Sequence, residues 1–250
     1  MSASAARLFK GKRPISLAKA RVAKDLRVLY LAPHPDDFDA VGIAMRWFKE
    51  NGNPLSVAVA TSGASGVEDS YGSAASWQAK AEIREREQAA ACRFFGMDDA
   101  HVSFLRLEED HAGHPADTEN NLERTRHHVL DVHPDIVCLP HGNDANTAHQ
   151  RIYAMFRRIA SAAGYPIVAL LNRDPKTLGM RLDLYITFGK QEADWKGNLL
   201  RFHQSQHQRN LNLRRHGFDD RILTVNRQIA QEILPGKNLF AEGFELEFFE

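Results

Sequence analysis

Residues 34–37 read His-Pro-Asp-Asp, a spacing that could supply two ligands to one divalent cation. His34 and Asp37 are the candidate ligands, and Asp36 lies between them, free of the ion. Pro35 biases His34 toward extended backbone, which fixes the direction of its imidazole. The common alternative for four such residues is a helix N-cap beside a surface histidine. A second ligand segment is therefore needed to favour a metal site.

Residues 140–149, PHGNDANTAH, supply that second segment. It contains three candidate side chains, His141, Asp144 and His149. With His149, the pair from residues 34–37 becomes a set of two histidines and one carboxylate. Such a set leaves a coordination position for water and substrate, as catalytic zinc requires. The same ligands also suit ferrous iron.

Both segments directly follow apolar runs that predict buried strands. Six runs have this character, at 27–33, 55–60, 102–107, 135–140, 166–171 and 183–188. Helical periodicity is clearest at 147–163, and further helices are predicted over 77–95 and from Trp195 onward. This alternation predicts an α/β fold, a doubly wound, Rossmann-like three-layer sandwich with a mostly parallel sheet. Ligands bind at the carboxyl ends of the strands in such sheets, where both segments lie.

The charge of the chain is uneven. Residues 1–27 hold eight Lys or Arg and one acidic residue, a net charge of +7, while the whole chain nets zero. No aromatic-rich basic face follows this segment, so nucleic acid is not an expected partner. We expect residues 1–26 to be a basic, solvated and partly helical extension peripheral to the fold. Residues 27–250 are expected to form a single domain.

The remaining composition indicates a cytoplasmic protein. No apolar run is long enough to span a membrane, and no secretion signal is evident. Cys92 and Cys138 are predicted to be small core residues rather than a disulfide or zinc clip. The polar loops 62–76 and 108–118 are candidates for the rim of an active site. We expect His111, His114, His127 and His128, which have no ligand spacing, to face solvent.

Five segments in order resemble one known family. They are HPDD (34–37), TSGASG (61–66), REREQAAACRFFG (84–96), KGNLLRFHQSQ (196–206) and AEGFE (241–245). In their types and order they are similar to motifs of the PIG-L (LmbE-like) N-acetylglucosaminide deacetylases. One family glutamate is displaced, because Phe38 follows Asp37 and Asp39 holds the acidic position one step later.

The resemblance implies zinc-dependent hydrolysis of the acetamide of a small-molecule N-acetylated amino-sugar conjugate. Asp36 would be the general base that takes a proton from the attacking water. The resemblance also suggests four substrate contacts, Asp39, Arg84, Asp144 and His203. Local alternatives exist for three of them: Asp39 could line the rim, Arg84 could pair with Glu87 one helical turn later, and His203 could satisfy a local polar contact.

The second metal segment departs from the family pattern at two positions. Asn146 stands where the family has a histidine, and Ala148 where it has an aspartate. The proton for the leaving amine could then come from Asp36, His141 or His203, and the sequence does not choose among them. Asn146 can still donate a hydrogen bond to an oxyanion.

Two other classes of function compete with an active deacetylase. The substitutions at 146 and 148 would also suit a catalytically impaired or repurposed protein that binds metal and sugar. A magnesium-dependent phosphatase could use Asp37 and Asp39 as its aspartate pair, but this reading ranks last because it leaves His149 unexplained. The sequence leaves the oligomeric state open, a homo-oligomer included.

Overall fold

The computed structural model describes residues 9, 11–69, 71–72 and 74–250. Eight strands lie in this part of the chain: β1 Ile15–Ser16, β2 Val28–Ala32, β3 Leu55–Val59, β4 Val102–Phe104, β5 Ile136–Pro140, β6 Ile167–Asn172, β7 Leu184–Phe188 and β8 Phe240–Phe249. Seven α-helices accompany them: α1 Gly42–Asn51, α2 Trp77–Phe95, α3 Glu119–Val132, α4 Thr147–Ala160, α5 Lys190–Leu200, α6 Gln204–Arg214 and α7 Phe218–Ile233. No helix of the described residues is both long and apolar enough to cross a membrane.

The eight strands form one mixed sheet in the order β1-β7-β8-β6-β5-β2-β3-β4. Strand β8 runs antiparallel to its neighbours β6 and β7, and every other pair is parallel. Strand β5 therefore lies between β6, the next strand in the chain, and β2, which precedes it by about a hundred residues. Because they are parallel, the segments that follow them meet at one edge of the sheet.

Both faces of the sheet are buried. In β2, Val28 and Tyr30 belong to one hydrophobic cluster, while the alternate residues Leu29 and Leu31 belong to another on the opposite side. Successive side chains of a strand point to opposite faces, so an apolar run of this kind needs helices on both sides. The three-layer α/β architecture predicted from the sequence is confirmed, and the six predicted strands are present. The run at 102–107 is shorter than predicted, since β4 ends at Phe104.

The N-terminal segment corrects a prediction. Ile15 and Ser16 pair with Leu184 and Tyr185 as the edge strand of the sheet. Leu17 is 0% exposed and, with Phe9, Val22 and Leu26, packs into the larger hydrophobic cluster. The described part of residues 9–26 is thus integral to the fold and not peripheral, and its helical content is a single 3-10 turn, Leu17–Lys19. The prediction rested on the net charge of this segment and overlooked the few apolar residues that pack into the core.

Helix α2 positions two polar side chains against the segment that follows β2. Ser76 caps its first turn by accepting a hydrogen bond from the Ala79 amide (3.1 Å), and Gly96 ends it in a left-handed conformation. These are favoured residues for the two ends of a helix. Arg84 and Gln88 lie one turn apart on its buried face, and both contact residues 34–39. The helix therefore buttresses the candidate metal segment.

Candidate metal centre and catalytic cavity

The turn after β2 brings His34 and Asp37 together. The His34 amide donates to Asp37 Oδ2 (2.8 Å), and His34 Nδ1 lies 3.4 Å from the same oxygen. Tyr30, buried in β2, donates through its hydroxyl to the Asp37 carbonyl (2.8 Å). A turn closed by its own carboxylate holds imidazole and carboxylate on the same side, as two ligands of one ion require.

His149 comes to the same position from the neighbouring strand end. It lies in the first turn of α4, after β5, and is 3% exposed. Its Nε2 lies 3.3 Å from Asp37 Oδ1, while Nδ1 faces Asp144 Oδ2 at 3.4 Å. The ligand atoms of His34, Asp37 and His149 all lie within 4.8 Å of one another. One ring nitrogen therefore faces the other two ligands, and the second faces a buried carboxylate.

These separations fit a small divalent cation. Ligand atoms at about 2.0–2.1 Å from a tetrahedral ion lie roughly 3.3–3.4 Å apart. His149 Nε2 lies 3.3 Å from Asp37 Oδ1, and His34 Nδ1 lies 3.4 Å from the second oxygen, Oδ2, so either carboxylate oxygen has a ring nitrogen at such a distance. The carboxylate behind His149 matches the arrangement in which a ligand histidine donates its other N–H to an acidic side chain. The donor set and its spacing thus suit zinc, and the site is a candidate metal centre.

The electrostatics of the ion-free site depend on the same three side chains. Burial disfavours the charged form of His149, but Asp37 and Asp144 outweigh it and raise its pKa to about 10. Burial likewise opposes ionisation of Asp37, yet His149 and His34 hold its pKa well below the usual range. At neutral pH the ion-free His149 is therefore protonated. Because only the neutral imidazole is a ligand, binding of an ion must release this proton.

Asp36 lies beside the three ligands and outside their set. Its φ of +105° is costly for a residue with a side chain, and strain of this kind clusters at functional sites. The Gln88 side chain accepts from the Asp36 amide (2.8 Å), and Arg84 Nη2 donates to Asp36 Oδ2 (2.9 Å). Arg84, only 2% exposed, also donates to the Pro35 carbonyl. The surrounding contacts thus hold this carboxylate in one orientation.

A cavity of about 320 Å³ opens over this centre. His34, Asp36, Asp37 and His149 line its floor, together with Arg84. The predicted rim loops contribute to its walls, through Gly63, Ser65 and Gly66 from the first loop and Ala112 and His114 from the second. Gly63 is required at its position, because its φ is +63° and a Cβ there would approach Pro35 Cδ to 3.0 Å. The cavity is large enough for a sugar-sized ligand.

Asn146 lines the same cavity, and its side-chain oxygen caps a helix. Its Oδ1 accepts from the Ala148 amide (3.1 Å) and caps the N-terminus of α4. No described residue accepts a hydrogen bond from its Nδ2, which leaves both of these N–H groups available to a ligand. Ala148, in contrast, is fully buried behind the cavity wall.

The prediction that Asp39 and His203 contact substrate is wrong. Both are 0% exposed, and they bond to each other, with 2.6 Å between His203 Nε2 and Asp39 Oδ2. Gln88 also donates to Asp39 (3.1 Å). A side chain with no exposed surface cannot reach a ligand in the cavity. Their pairing joins the segment after β2 to the start of α6, 164 residues later.

Two further predictions on PHGNDANTAH also need correction. Asp144 is 0% exposed and lies behind His149, where it can orient a ligand but cannot contact substrate. His141 does not line the cavity; its Nε2 lies 3.3 Å from Glu245 on β8, and its Nδ1 accepts from the Asn143 amide. The residue therefore faces the neighbouring strands, and its position does not support a catalytic role.

Several cavity residues were missed. Asp174 follows β6 in the sequence NRDP, and one of its oxygens lies within 4.8 Å of ligand atoms of Asp144 and His149. The strand-end criterion that selected residues 34–37 would have found it, had it been applied to the run at 166–171. His114 lines the cavity instead of facing solvent, and His128 is half-buried, whereas His111 and His127 are exposed as predicted.

The chain belongs to the PIG-L family. The sequence pattern of this family, described as GlcNAc-PI de-N-acetylase, matches residues 29–160, which is more than half of the chain and includes both ligand segments. A search of curated proteins found no match. The family resemblance predicted from the sequence is thus confirmed.

Solved structures share the fold at low sequence identity. N,N'-diacetylchitobiose deacetylase from Pyrococcus horikoshii is 16% identical with a TM-score of 0.70, over 88% of this chain and 83% of that one. The zinc-inhibited form of the teicoplanin deacetylase Orf2 is 15% identical with a TM-score of 0.62, over 90% and 99%. The 4-carboxy-2-hydroxymuconate hydratase GalB from Pseudomonas putida KT2440 is 18% identical with a TM-score of 0.63, over 88% and 96%. Fold alone therefore does not distinguish deacetylation from hydration.

Proposed function

We propose that this protein is a zinc-dependent hydrolase that removes the N-acetyl group from an N-acetylated amino-sugar conjugate. The observation that carries this proposal is the convergence of His34, Asp37 and His149 beside Asp36, a strained and unligated carboxylate at the floor of a cavity. Membership of a family described as a de-N-acetylase supports the choice of an acetamide as the bond that is cleaved. The reaction adds water to an amide and yields acetate and a free amine.

His34, Asp37 and His149 would hold the ion, and Asp144 would orient His149 through Nδ1. When bound, a divalent cation polarises the acetamide carbonyl and lowers the pKa of a water from ~15.7 toward ~7. Zinc is favoured by the two imidazoles and the single carboxylate, although ferrous iron accepts the same ligands.

Asp36 is the proposed general base. It lines the cavity beside the ligands, and Arg84 fixes the direction of its carboxylate, so it can take the proton of the attacking water. Of the groups considered for protonating the leaving amine, Asp36, His141 and His203, only Asp36 lines the cavity. We therefore assign both transfers to Asp36, which accepts the proton from water and later delivers it to the nitrogen of the sugar.

Asn146 supplies a further polar group to the cavity. With Oδ1 engaged at the helix cap, Nδ2 of this cavity-lining residue is left to donate to the oxygen that becomes negative during attack. One such donor is worth about 3 kcal/mol in favourable sites. Arg84 is buried and lies 3.7 Å from Glu87 through Nη1, so its role is to orient Asp36 rather than to bind the substrate.

The alternative is a metal- and sugar-binding relative that has lost activity. It is motivated by Asn146 and Ala148, but the chain retains Asp36, and the base needs neither of the two family residues. Because the fold is also similar to that of a hydratase, addition of water without hydrolysis is a further reaction to test. Acetate release separates all three, because neither a binding protein nor a hydratase would produce it from an acetamide.

The test is release of acetate and free amine from a panel of N-acetylated sugars by the zinc-loaded protein. Asp36→Asn should lower the rate by about 10²–10⁴ and leave the zinc content unchanged. Asp69→Asn, the same substitution on a carboxylate whose side chain is 98% exposed, is the matched control and should retain full activity. Absence of acetate from every substrate, or full activity in Asp36→Asn, would refute the proposal.

A further inference from the structure

The cavity over the candidate metal centre has a cationic wall. Helices α6 and α7 contribute Arg209, Arg214 and Arg221, and the loop after β6 contributes Lys176. With Arg84, five cationic side chains line a cavity that contains three carboxylates, Asp36, Asp37 and Asp174. Two of these carboxylates are already engaged, since Asp36 pairs with Arg84 and Asp37 faces the two histidines.

The four wall cations lack ion-pair partners. None of them forms an ion pair with any carboxylate of the described residues, and the remaining residues of the chain contain no Asp or Glu. Arg214 has only a long contact to the Asn210 side chain (3.4 Å). Elsewhere in the same region, Arg201 pairs with Asp219 at 2.6 Å, so the elements around the cavity do neutralise an arginine where its task is structural.

Arg221 lies close enough to the other charges of the cavity to be affected by them. It is half-buried on α7, and burial lowers the pKa of its guanidinium. Asp174 and Asp36 oppose this effect, whereas the positive charges of Arg214 and Arg209 add to it. Like charges grouped in a partly buried wall repel one another, and a bound anion would relieve this repulsion.

Resting on the proposed function, we infer that the substrate carries an anionic group, a phosphate or a carboxylate, which Arg209, Arg214, Arg221 and Lys176 bind within the same cavity as the acetamide. Guanidinium groups favour such ligands because their planar N–H pairs match two oxygens of either anion. Asn210 and Gln206, which also line the cavity, add amide groups beside this wall. The anion would hold the conjugate with its acetamide directed toward Asp36.

The test compares ligands that share one sugar and differ in charge: N-acetylglucosamine, its 6-phosphate, and N-acetylmuramic acid, which bears a carboxylate. Binding is measured by calorimetry on zinc-loaded Asp36→Asn protein, so that turnover does not interfere. We expect at least one anionic ligand to bind about tenfold or more tightly than the neutral sugar, with a preference that weakens as salt is raised. The anionic sugar that binds more tightly shows whether the site prefers a phosphate or a carboxylate.

Arg221→Gln, introduced into the Asp36→Asn protein, should reduce the preference for the anionic over the neutral sugar about tenfold. Arg227→Gln is the control, since Arg227 lies on the same helix but is exposed, stacks on Phe240 and does not line the cavity. Arg214→Gln, at an exposed side chain, provides a second variant if the first fails to fold. Equal affinity for charged and neutral sugars, or a preference that survives both cavity substitutions, would overturn the inference.

Inorganic phosphate separates this inference from the proposed function. Phosphate should bind the zinc-loaded protein and bind less in Arg221→Gln and Arg214→Gln, whether or not acetate is ever released. Phosphate held by the ion alone would be insensitive to these substitutions, and that result would contradict anion binding by the cationic wall. Failure of acetate release with an intact arginine-dependent phosphate site would refute the deacetylase and support the anionic ligand.

Discussion

Asp144 provides a sharp test of how the candidate site is built, because sequence and structure assign it different roles. Replacement by Asn keeps the volume of this fully buried side chain and can retain the hydrogen bond from the Asn146 amide to Oδ1 (2.6 Å). It removes the negative oxygen that faces His149 Nδ1 at 3.4 Å. We expect Asp144→Asn to weaken zinc binding without a direct effect on substrate affinity.

The expected magnitude follows from two opposing effects. Loss of the partner that orients a ligand histidine typically costs 10–100-fold in metal affinity, or about 1.4–2.7 kcal/mol. Asp144 also helps to raise the pKa of the ion-free His149 to about 10, so its removal eases the loss of the proton that zinc must displace. Because the second effect offsets part of the first, we expect a loss of about tenfold near pH 7.

Zinc affinity is measured by competition with a chelator of known affinity, and KM is measured in parallel on any accepted substrate. Asp39→Asn is the matched control: it is an equally buried carboxylate, but its partners are His203 and Gln88 rather than a ligand. We expect that control to keep its zinc affinity. An unchanged affinity in Asp144→Asn together with a raised KM would refute this reasoning and restore Asp144 as a substrate contact.

Three further predictions concern stability. Leu17→Ala should lower the free energy of unfolding by about 2–5 kcal/mol, because Leu17 is fully buried in the main cluster. Lys196→Met should cost about 3–5 kcal/mol, since Lys196 Nζ bonds to Glu242 at 2.6 Å with both side chains almost wholly buried. In chelator-treated protein, the stability contributed by His149 should be fully present below pH 6.5 and should disappear as the pH rises to about 10, because folding raises its pKa. Urea unfolding, repeated across this pH range for the third case, measures all three.

Each of these predictions has a matched comparison. Leu213→Ala removes the same atoms from a leucine that is 61% exposed, and Lys190→Met breaks an exposed pair with Asp194; neither should change stability measurably. His149→Gln should flatten the pH dependence between 6.5 and 10. A stable Leu17→Ala variant would mean that the N-terminal strand contributes little, and an unchanged pH profile in His149→Gln would assign that titration to another group.

The sequence by itself determined the features that depend on local order. Apolar runs of six or seven residues predict strands buried on both faces, and the histidine and aspartate positions just after two of them are set by chain connectivity. His34 and Asp37 are one turn apart, so their proximity needs no knowledge of the rest of the fold. The family motifs at 34–37 and 140–149 are likewise contiguous, which explains why family, fold class and candidate ligand set could all be predicted.

The roles of single polar residues were decided by tertiary structure. Asp39 and His203 are 164 residues apart, and only their packing reveals that each buries and satisfies the other. The segment KGNLLRFHQSQ resembles a family motif and was predicted to supply a substrate contact. In the structure Ser205 donates to Glu87 of α2, and Gln206 donates to the Gly66 carbonyl. These polar groups therefore hold α6 against α2 and the loop after β3. A polar motif has the same sequence whether it faces a ligand or a neighbouring helix.

The order of the strands in the sheet determines which segments become neighbours, and the chain sequence does not reveal this order. Asp174 joins the cavity because β6 lies beside β5, and the short β1 joins the sheet because β7 leaves an edge free for it. The cationic wall arises in the same way, because α6 and α7 place their arginines beside the segments that follow β2, β5 and β6. Hydrophobic periodicity reports which face of an element is buried, but it contains no information on which elements become neighbours. That choice is made by the packing of the whole chain, and it is what converts two ligand segments into a bounded and charged cavity.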